Sequence, residues 1–411
     1  KRHRGAVLNE GGGEVSHDQA VRRGGSRHQQ LVVIRRAGGT AGDIAFVGGI
    51  DLCHSRRDDA EHLGDRQCQP MAPVFGTTPP WHDIQVAVEG PAVGDLEFTF
   101  RERWADRSPL SRDPVGILGD LLRHTDRRAS PLPPMPPDPP RRGTHSVQVL
   151  RTYGRRPWGY PFAPHGERSV ARGYLKALRR ARRLIYIEDQ FLWSKEVMKP
   201  FVEALTANPD LRLIAVVPRY FDVAGALTLP PNQVGREHAV GALLDAGGDR
   251  VAIFDVENLL GVPVYVHAKI CVIDDVWTSV GSDNFNRRSW SHDSEIACAV
   301  LDSSPDLREP SDPAGLGDRA RIYARNLRLL LWRGTFGRDD GARGHLIDPG
   351  EARARFRQTA DHLQPRYPQC PPGARPPARR HTPPPNQTHP PTSTRAARPS
   401  RPPHQPPRHP P

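Results

Sequence analysis

His267–Ser289 reads HAKICVIDDVWTSVGSDNFNRRS, and this stretch decides the fold. Val266, Ile270, Val272 and Ile273 are β-branched and apolar, so strands are expected from Val264 to His267 and from Lys269 to Ile273. His267 and Lys269 stand two residues apart and therefore point to one face of a strand. An imidazole beside an ammonium suits a phosphate: the lysine holds non-bridging oxygens while the histidine moves a proton or attacks phosphorus. A turn at Gly281-Ser282 then brings Asn284 back as a neutral donor for the same oxygens. A lone HxK is common by chance, whereas the longer run is specific.

At every defining position this run resembles the HxKxxxxD and GSxNxxxRS signature of the phospholipase D superfamily. The resemblance implies catalytic roles for His267, Lys269 and Asn284, a substrate-binding role for Ser282 and a structural one for Asp274. It also implies that Glu295, eleven residues beyond Asn284, orients the histidine of an opposite half. The family's site lies between two such halves, and a second copy stands upstream. Arg27–Arg35, RHQQLVVIR, is similar to the family's HHQKxxxxD, with Gln30 in place of the lysine and Arg35 in place of the aspartate. Phe46–Cys53 (FVGGIDLC) and Pro80–Asp83 (PWHD) follow in order and resemble segments of the group that cleaves phosphatidylcholine-type lipids. Read without the resemblance, Gly48-Gly49 is a simple turn and Trp81 a core aromatic. His145–Tyr153 and Ile185–Phe191 match two further family segments. On this alignment His28 is the other catalytic histidine, Asp51 takes the place of Asn284, and Asp83 that of Glu295. Gln30 and Asp51 become substrate-binding positions.

The resemblance implies that His28 attacks phosphorus to form a phosphohistidine and that His267 protonates the departing alcohol. Asp83 and Glu295 hold the two imidazoles, and water or a second alcohol resolves the intermediate. It implies no metal and no cofactor. Where the family carries two lysines, only Lys269 remains; Arg27 precedes His28 and is expected to point to the other face of its strand. Losing one preorganised donor costs about two to three powers of ten in rate. The expectation is thus a weakened enzyme that hydrolyses or exchanges phospholipid head groups. Cardiolipin-synthase-like phosphatidyl transfer and a non-catalytic lipid-binding pseudoenzyme are the alternatives. A nuclease ranks lower, because compact nucleases of the superfamily lack counterparts of FVGGIDLC and PWHD.

The expected fold class is α/β, two pseudo-symmetric sandwich halves with mixed β-sheets. Ser130–Arg142, SPLPPMPPDPPRR, excludes helix and reads as an extended spacer between residues 1–129 and 143–365. Before it, strands are expected at Gln30–Ile34, Asp43–Ile50 and Ile84–Val88, with a helix at Pro91–Trp104. After it, strands at Val147–Arg151, Leu184–Glu188 and Leu211–Val217 alternate with helices at Arg168–Arg182 and Lys195–Ala207. Val251–Phe254, Thr278–Gly281 and Glu295–Val300 are further strands, and Arg319–Leu331 a last helix. Leu259-Leu260 and Val262-Pro263-Val264 are expected in the core, since short apolar runs are usually buried, with bilayer contact as the alternative.

The net charge of +12 misleads about the fold. Arg366–Pro411 holds eight Arg and no Lys, Asp or Glu, which leaves only +4 for the other 365 residues. This stretch, residues 366–411, has no apolar period and is expected to be disordered. The pI of about 9.9 therefore gives no case for a specific nucleic-acid partner; the expected partner is a phospholipid, with peripheral membrane contact and an open oligomeric state. Cys53, Cys68, Cys271, Cys298 and Cys370 lack CxxC spacing and read as free thiols rather than as a cluster of Cys53, His54, His62 and Cys68. No apolar run approaches the ~18 residues that span a bilayer. The expected chain is soluble, cytoplasmic or peripheral to a membrane, and a targeting segment ahead of Lys1 remains open.

Overall fold

Runs of β-branched residues separated by amphipathic helices assemble here into one large sheet that carries half of the site. The computed structural model describes residues 13–15, 18, 21–36, 42–52, 56–66, 71–106, 114–122, 130–157, 159–222, 229–336, 346–363 and 378–380. The first half contributes β1 (Leu31–Ile34), β2 (Ile44–Gly48), β3 (Trp81–His82), β4 (Gln85–Val88), α1 (Ala92–Trp104) and α2 (Pro114–Leu122). β1, β2 and β4 form an antiparallel three-stranded sheet with β2 in the middle.

The second half contributes β5 (His145–Tyr153), β6 (Glu167–Arg168), α3 (Ser169–Arg180), β7 (Leu184–Asp189), α4 (Lys195–Ala207), β8 (Arg212–Val216), α5 (Leu229–Gly247), β9 (Val251–Val256) and β10 (Tyr265–Val266). β11 (Lys269–Ile273), β12 (Trp277–Gly281), α6 (Arg287–Ser291), β13 (Glu295–Asp302), α7 (Ile322–Phe336), α8 (Pro349–Leu363) and β14 (Ala378–Arg380) follow. Nine of these strands form a mixed sheet in the order β14-β9-β8-β7-β11-β12-β13-β5-β6. Its β7, β8 and β9 are parallel, and β11, β12 and β13 are joined antiparallel.

Strand alternation sends each face of this sheet into its own core. Ile185 and Ile187 of β7 pack with Val170, Tyr174, Phe201 and Leu243 of helices α3, α4 and α5. Leu184 and Tyr186 of the same strand pack on the other face with Trp332 and Phe356 of α7 and α8. A third cluster joins the halves, placing Val47, Val88 and Leu96 of the first against Ile296, Cys298 and Val300 of β13.

The class is α/β with mixed sheets, as expected, but the halves differ in size among the described residues. α5 has no counterpart in the sequence expectation, and it opens with Leu229, Pro230 and Pro231. Proline is compatible with a first helical turn, and Ala239, Val240 and Leu243 then share a buried stripe. The proline-rich segment is extended but not free. Trp104 Nε1 donates to the Ser130 carbonyl at 2.8 Å, and Arg101 and Arg35 donate to the carbonyls of Pro133 and Pro137, each at 2.6 Å.

Residues 366–411 lie outside the described residues except for β14, as do Cys53, His54, Cys68 and Cys370. Cys271 and Cys298 are buried free thiols. Among the described residues no group of three metal-ligating side chains is present, and no helix is long and apolar enough to cross a membrane.

Candidate active site

The site is assembled by two strand pairings that repeat one geometry. β10 lies parallel to β3, and the His267 N–H donates to the His82 carbonyl at 2.7 Å. Ser26–His28 lies beside Ser294 in the same way, with the His28 N–H donating to the Ser294 carbonyl at 3.0 Å. In both cases the accepting residue immediately precedes a carboxylate, so each half presents its carboxylate to the other half's histidine. Asp83 Oδ2 stands 2.8 Å from His267 Nδ1, and Glu295 Oε2 stands 2.9 Å from His28 Nδ1. A carboxylate on Nδ1 fixes the tautomer that leaves Nε2 as the reacting nitrogen.

Several neighbours hold these pairs. A Cβ at Gly49 would lie 2.1 Å from Asp83 Oδ1, so the second glycine of FVGGIDLC makes room for that carboxylate as well as turning the chain. Trp81 is buried and also walls the site: its ring centroid lies 4.9 Å from that of His267, and its Nε1 donates to Asp83 Oδ2 at 3.3 Å. Ser282 is fully buried; its hydroxyl donates to Glu295 Oε2 at 2.6 Å and accepts from the Ile296 N–H at 3.1 Å. This corrects the substrate-binding expectation for Ser282, whose hydroxyl is committed to positioning Glu295.

Lys269 is buried beside His267, with Nζ donating to the His267 carbonyl. Asn284 is buried, and its Oδ1 has no hydrogen-bond partner among the described residues. Asp189, on β7 opposite Lys269, accepts from the backbone of Phe191, Leu192 and Phe285 and so anchors the loop that follows Asn284. Asp274 lies away from this centre. Its carboxylate accepts the N–H groups of Arg182, Arg183 and Leu184, each at 2.8 Å, at the start of β7.

The first half is built differently. Gln30 Nε2 donates to Asp51 Oδ1 at 2.5 Å, and Asp51 Oδ2 accepts from Arg56 Nε at 3.3 Å. Neither arginine of the first motif replaces the lysine: Arg27 pairs with Asp18 at 2.8 Å, and Arg35 pairs with Asp43 at 3.3 Å and Glu97 at 3.2 Å. Arg56 is a cation that motif reading missed. Its guanidinium lies 4.0 Å above the Trp81 ring, and no spacing rule singles it out. A third imidazole–carboxylate pair, His82 Nε2 with Glu188 Oε2 at 2.7 Å, was also missed; Tyr186 donates to Glu188 Oε1 at 2.5 Å.

The two catalytic-type imidazoles sit in opposite fields. For His28, burial opposes the charged ring, but the charge and hydrogen bond of Glu295 outweigh it and the pKa is raised. For His267, burial acts first and the adjacent Lys269 second, and together they overcome Asp83, so the pKa is lowered. Burial also lowers the pKa of Lys269. The His28 side chain is 28% exposed and that of His267 only 7%, so the His28 side of the site is the more open.

The family described as Phospholipase D matches residues 9–204, and the one described as Cardiolipin synthase, PLD-like domain, matches residues 174–308. The chain belongs to the phospholipase D superfamily. Among curated members, phospholipase D alpha 1 of Vigna unguiculata is 27% identical over 420 residues, covering 78% of this chain and 50% of the relative. Phospholipase D alpha 2 of Oryza sativa subsp. japonica is 27% identical over 407 residues, covering 75% of this chain and 48% of the relative. This superfamily member thus spans about half the length of those relatives. Solved structures that it resembles include the phospholipase D family member Nuc of Salmonella typhimurium (19% identity, TM-score 0.27, 38% of this chain and 84% of that one). Phosphatidylserine synthase of Haemophilus influenzae Rd KW20 is another (12% identity, TM-score 0.40, 63% of this chain and 56% of that one).

Proposed function

We propose that this chain cleaves phospholipid head groups as a phosphodiesterase, through a covalent phosphohistidine. The observation that carries the proposal is the pair of crossed imidazole–carboxylate contacts, His267 with Asp83 and His28 with Glu295. Two imidazoles facing one phosphate, each with Nδ1 committed, supply a nucleophile and a proton donor without further groups. Lys269 and Asn284 are the donors for the non-bridging oxygens, Gln30 and Asp51 line the opposite side, and Arg56 offsets part of the charge lost with the first lysine.

The fields in the resting site divide the labour. A nucleophile must be a free base and an acid must hold its proton. His267, with its lowered pKa, meets the first requirement, and His28, with its raised pKa, the second. We therefore assign attack to His267 and protonation of the departing alcohol to His28, the reverse of the order that family resemblance implies. In the first step the His267 Nε2–phosphorus bond forms as the phosphorus–oxygen bond of the head group breaks and His28 gives that oxygen its proton. In the second, His28 takes a proton from water, which attacks phosphorus and frees His267.

Choline release from phosphatidylcholine by the purified chain tests the proposal, and release at a rate below that of a two-lysine relative is expected. A chain silent as it stands and active as Gln30→Lys is a degraded enzyme; silence in both overturns the catalytic reading in favour of lipid binding alone. Phosphatidyl transfer to glycerol is the second reading, favoured by the cardiolipin-synthase-type match over residues 174–308, and it passes through the same adduct.

A further inference from the structure

Two adjacent leucines project into solvent beside the site. Leu259 is 87% exposed and Leu260 75% exposed, against the expectation that this run joins the core; Val264, five residues after Leu259, is the part that is buried. A large aliphatic pair in water is unfavourable unless something covers it. The tip is also rigid. Asn258 Oδ1 accepts the N–H groups of Leu260 and Val262, each at 3.0 Å, and Gly261, at a φ of +77°, closes the turn by donating to the Asn258 carbonyl at 2.9 Å. The leucines are thus presented in a fixed pose rather than left on a slack loop.

The tip is tied to the chemistry through two short routes. Chain continuity leads from Val262 through Val264 into β10 and His267. Asn258 Nδ2 also donates to the His62 carbonyl at 2.8 Å, and His62 Nδ1 lies 3.2 Å from the carbonyl of Trp81, the ring that walls His267. Leu63, next to His62, and Leu52, next to Asp51, are exposed as well. Leu63 thus adds an exposed apolar side chain beside the His62 that the tip is bonded to.

We propose that the Leu259-Leu260 tip inserts into the surface of a phospholipid bilayer and so docks the site on its substrate; this rests on the phospholipid reading above. A protein partner fits poorly: two projecting side chains offer a small fraction of the ~800 Å² per partner that a stable protein interface covers. The charges nearby select the kind of surface. Arg57 and Arg66 are offset by Asp59 and Glu61 on the exposed part of the neighbouring loop, so no single sign prevails and a zwitterionic surface suits it better than an anionic one.

The full chain and its Leu259→Ser/Leu260→Ser variant are sedimented with phosphatidylcholine vesicles. The variant is expected to bind about 30-fold more weakly, equal to about 2 kcal/mol, while cleaving a water-soluble p-nitrophenyl phosphodiester as the parent does. Equal sedimentation of both, or no sedimentation of the parent, overturns the proposal. Self-association that the variant alone loses, with vesicle binding unchanged, assigns the tip to a second copy and overturns it too. In Leu260→Trp a blue-shifted emission on adding vesicles is expected, and unshifted emission contradicts insertion. Vesicle binding lost with the leucines in a chain that releases no choline leaves the docking tip standing and fails the catalytic reading, so the two are told apart.

Discussion

The two halves of the site keep one geometry and differ in their electrostatics. The second half sets Lys269 on a strand of a nine-stranded sheet packed on both faces, with His267 just ahead of that strand, whereas the first sets His28 and Gln30 at the margin of a three-stranded sheet. Yet the two imidazoles are held alike, at 2.8 and 2.9 Å from a carboxylate of the opposite half. Each histidine is thus positioned by a carboxylate of the opposite half. Their charges differ: burial and then Lys269 lower the pKa of His267, whereas at His28 the charge and hydrogen bond of Glu295 outweigh burial and raise it.

The largest expected effects break that asymmetry at the histidines. His267→Ala is expected to remove measurable turnover of every substrate, since no nucleophile remains. His28→Ala is expected to cost about two to four powers of ten in turnover, while the first release of p-nitrophenol, which departs without a proton, slows far less. A pre-steady-state burst of p-nitrophenol from His267→Ala and none from His28→Ala breaks the assignment of roles.

Restoring the missing cation comes next. Gln30→Lys is expected to raise the rate about 100-fold, and Lys269→Met to lower it by a similar factor. The added lysine also lowers the pKa of His28, so the pH above which activity declines moves downward. A Gln30→Lys variant with unchanged kcat and pH profile shows that the first half is not limited by charge.

Glu295→Gln removes the charge that raises the His28 pKa, and the alkaline limb of the activity profile is expected to move towards acid. Asp83→Asn is expected to leave that limb in place, because Asp83 faces the other ring. The smallest effect is on stability. The lowered pKa of His267 means that between its value in the unfolded chain, about 6.5, and its folded value the native state binds fewer protons, so stability falls on acidification through that window. His28, with a raised pKa, contributes stability that is full below about 6.5 and is lost as pH rises through its folded value. Thermal melts of His28→Gln and His267→Gln against pH are expected to diverge from the parent in opposite directions.

The strands, the class and the motif residues were legible because period-two apolar runs and the HxK and GSxN spacings are local. The crossing of Asp83 and Glu295 to the opposite histidines joins residues 184 and 267 positions apart, and resemblance alone anticipated it. Arg56 and the His82–Glu188 pair had no spacing to mark them, since their partners come from other elements. Ser282 was misread because burial of a hydroxyl depends on tertiary packing. Leu259-Leu260 was misread because a short apolar run shows its hydrophobicity, while its direction is set by the Asn258 turn.

The most direct measurement is acid-quenched, single-turnover reaction of the full chain with a p-nitrophenyl phosphodiester, followed by mass-spectrometric mapping of the phosphorylated peptide. The expected adduct is on His267, and it accumulates in His28→Ala. An adduct on His28, accumulating in His267→Ala, contradicts the division of labour read from the two fields, and turnover with no histidine adduct in either variant contradicts the covalent route itself.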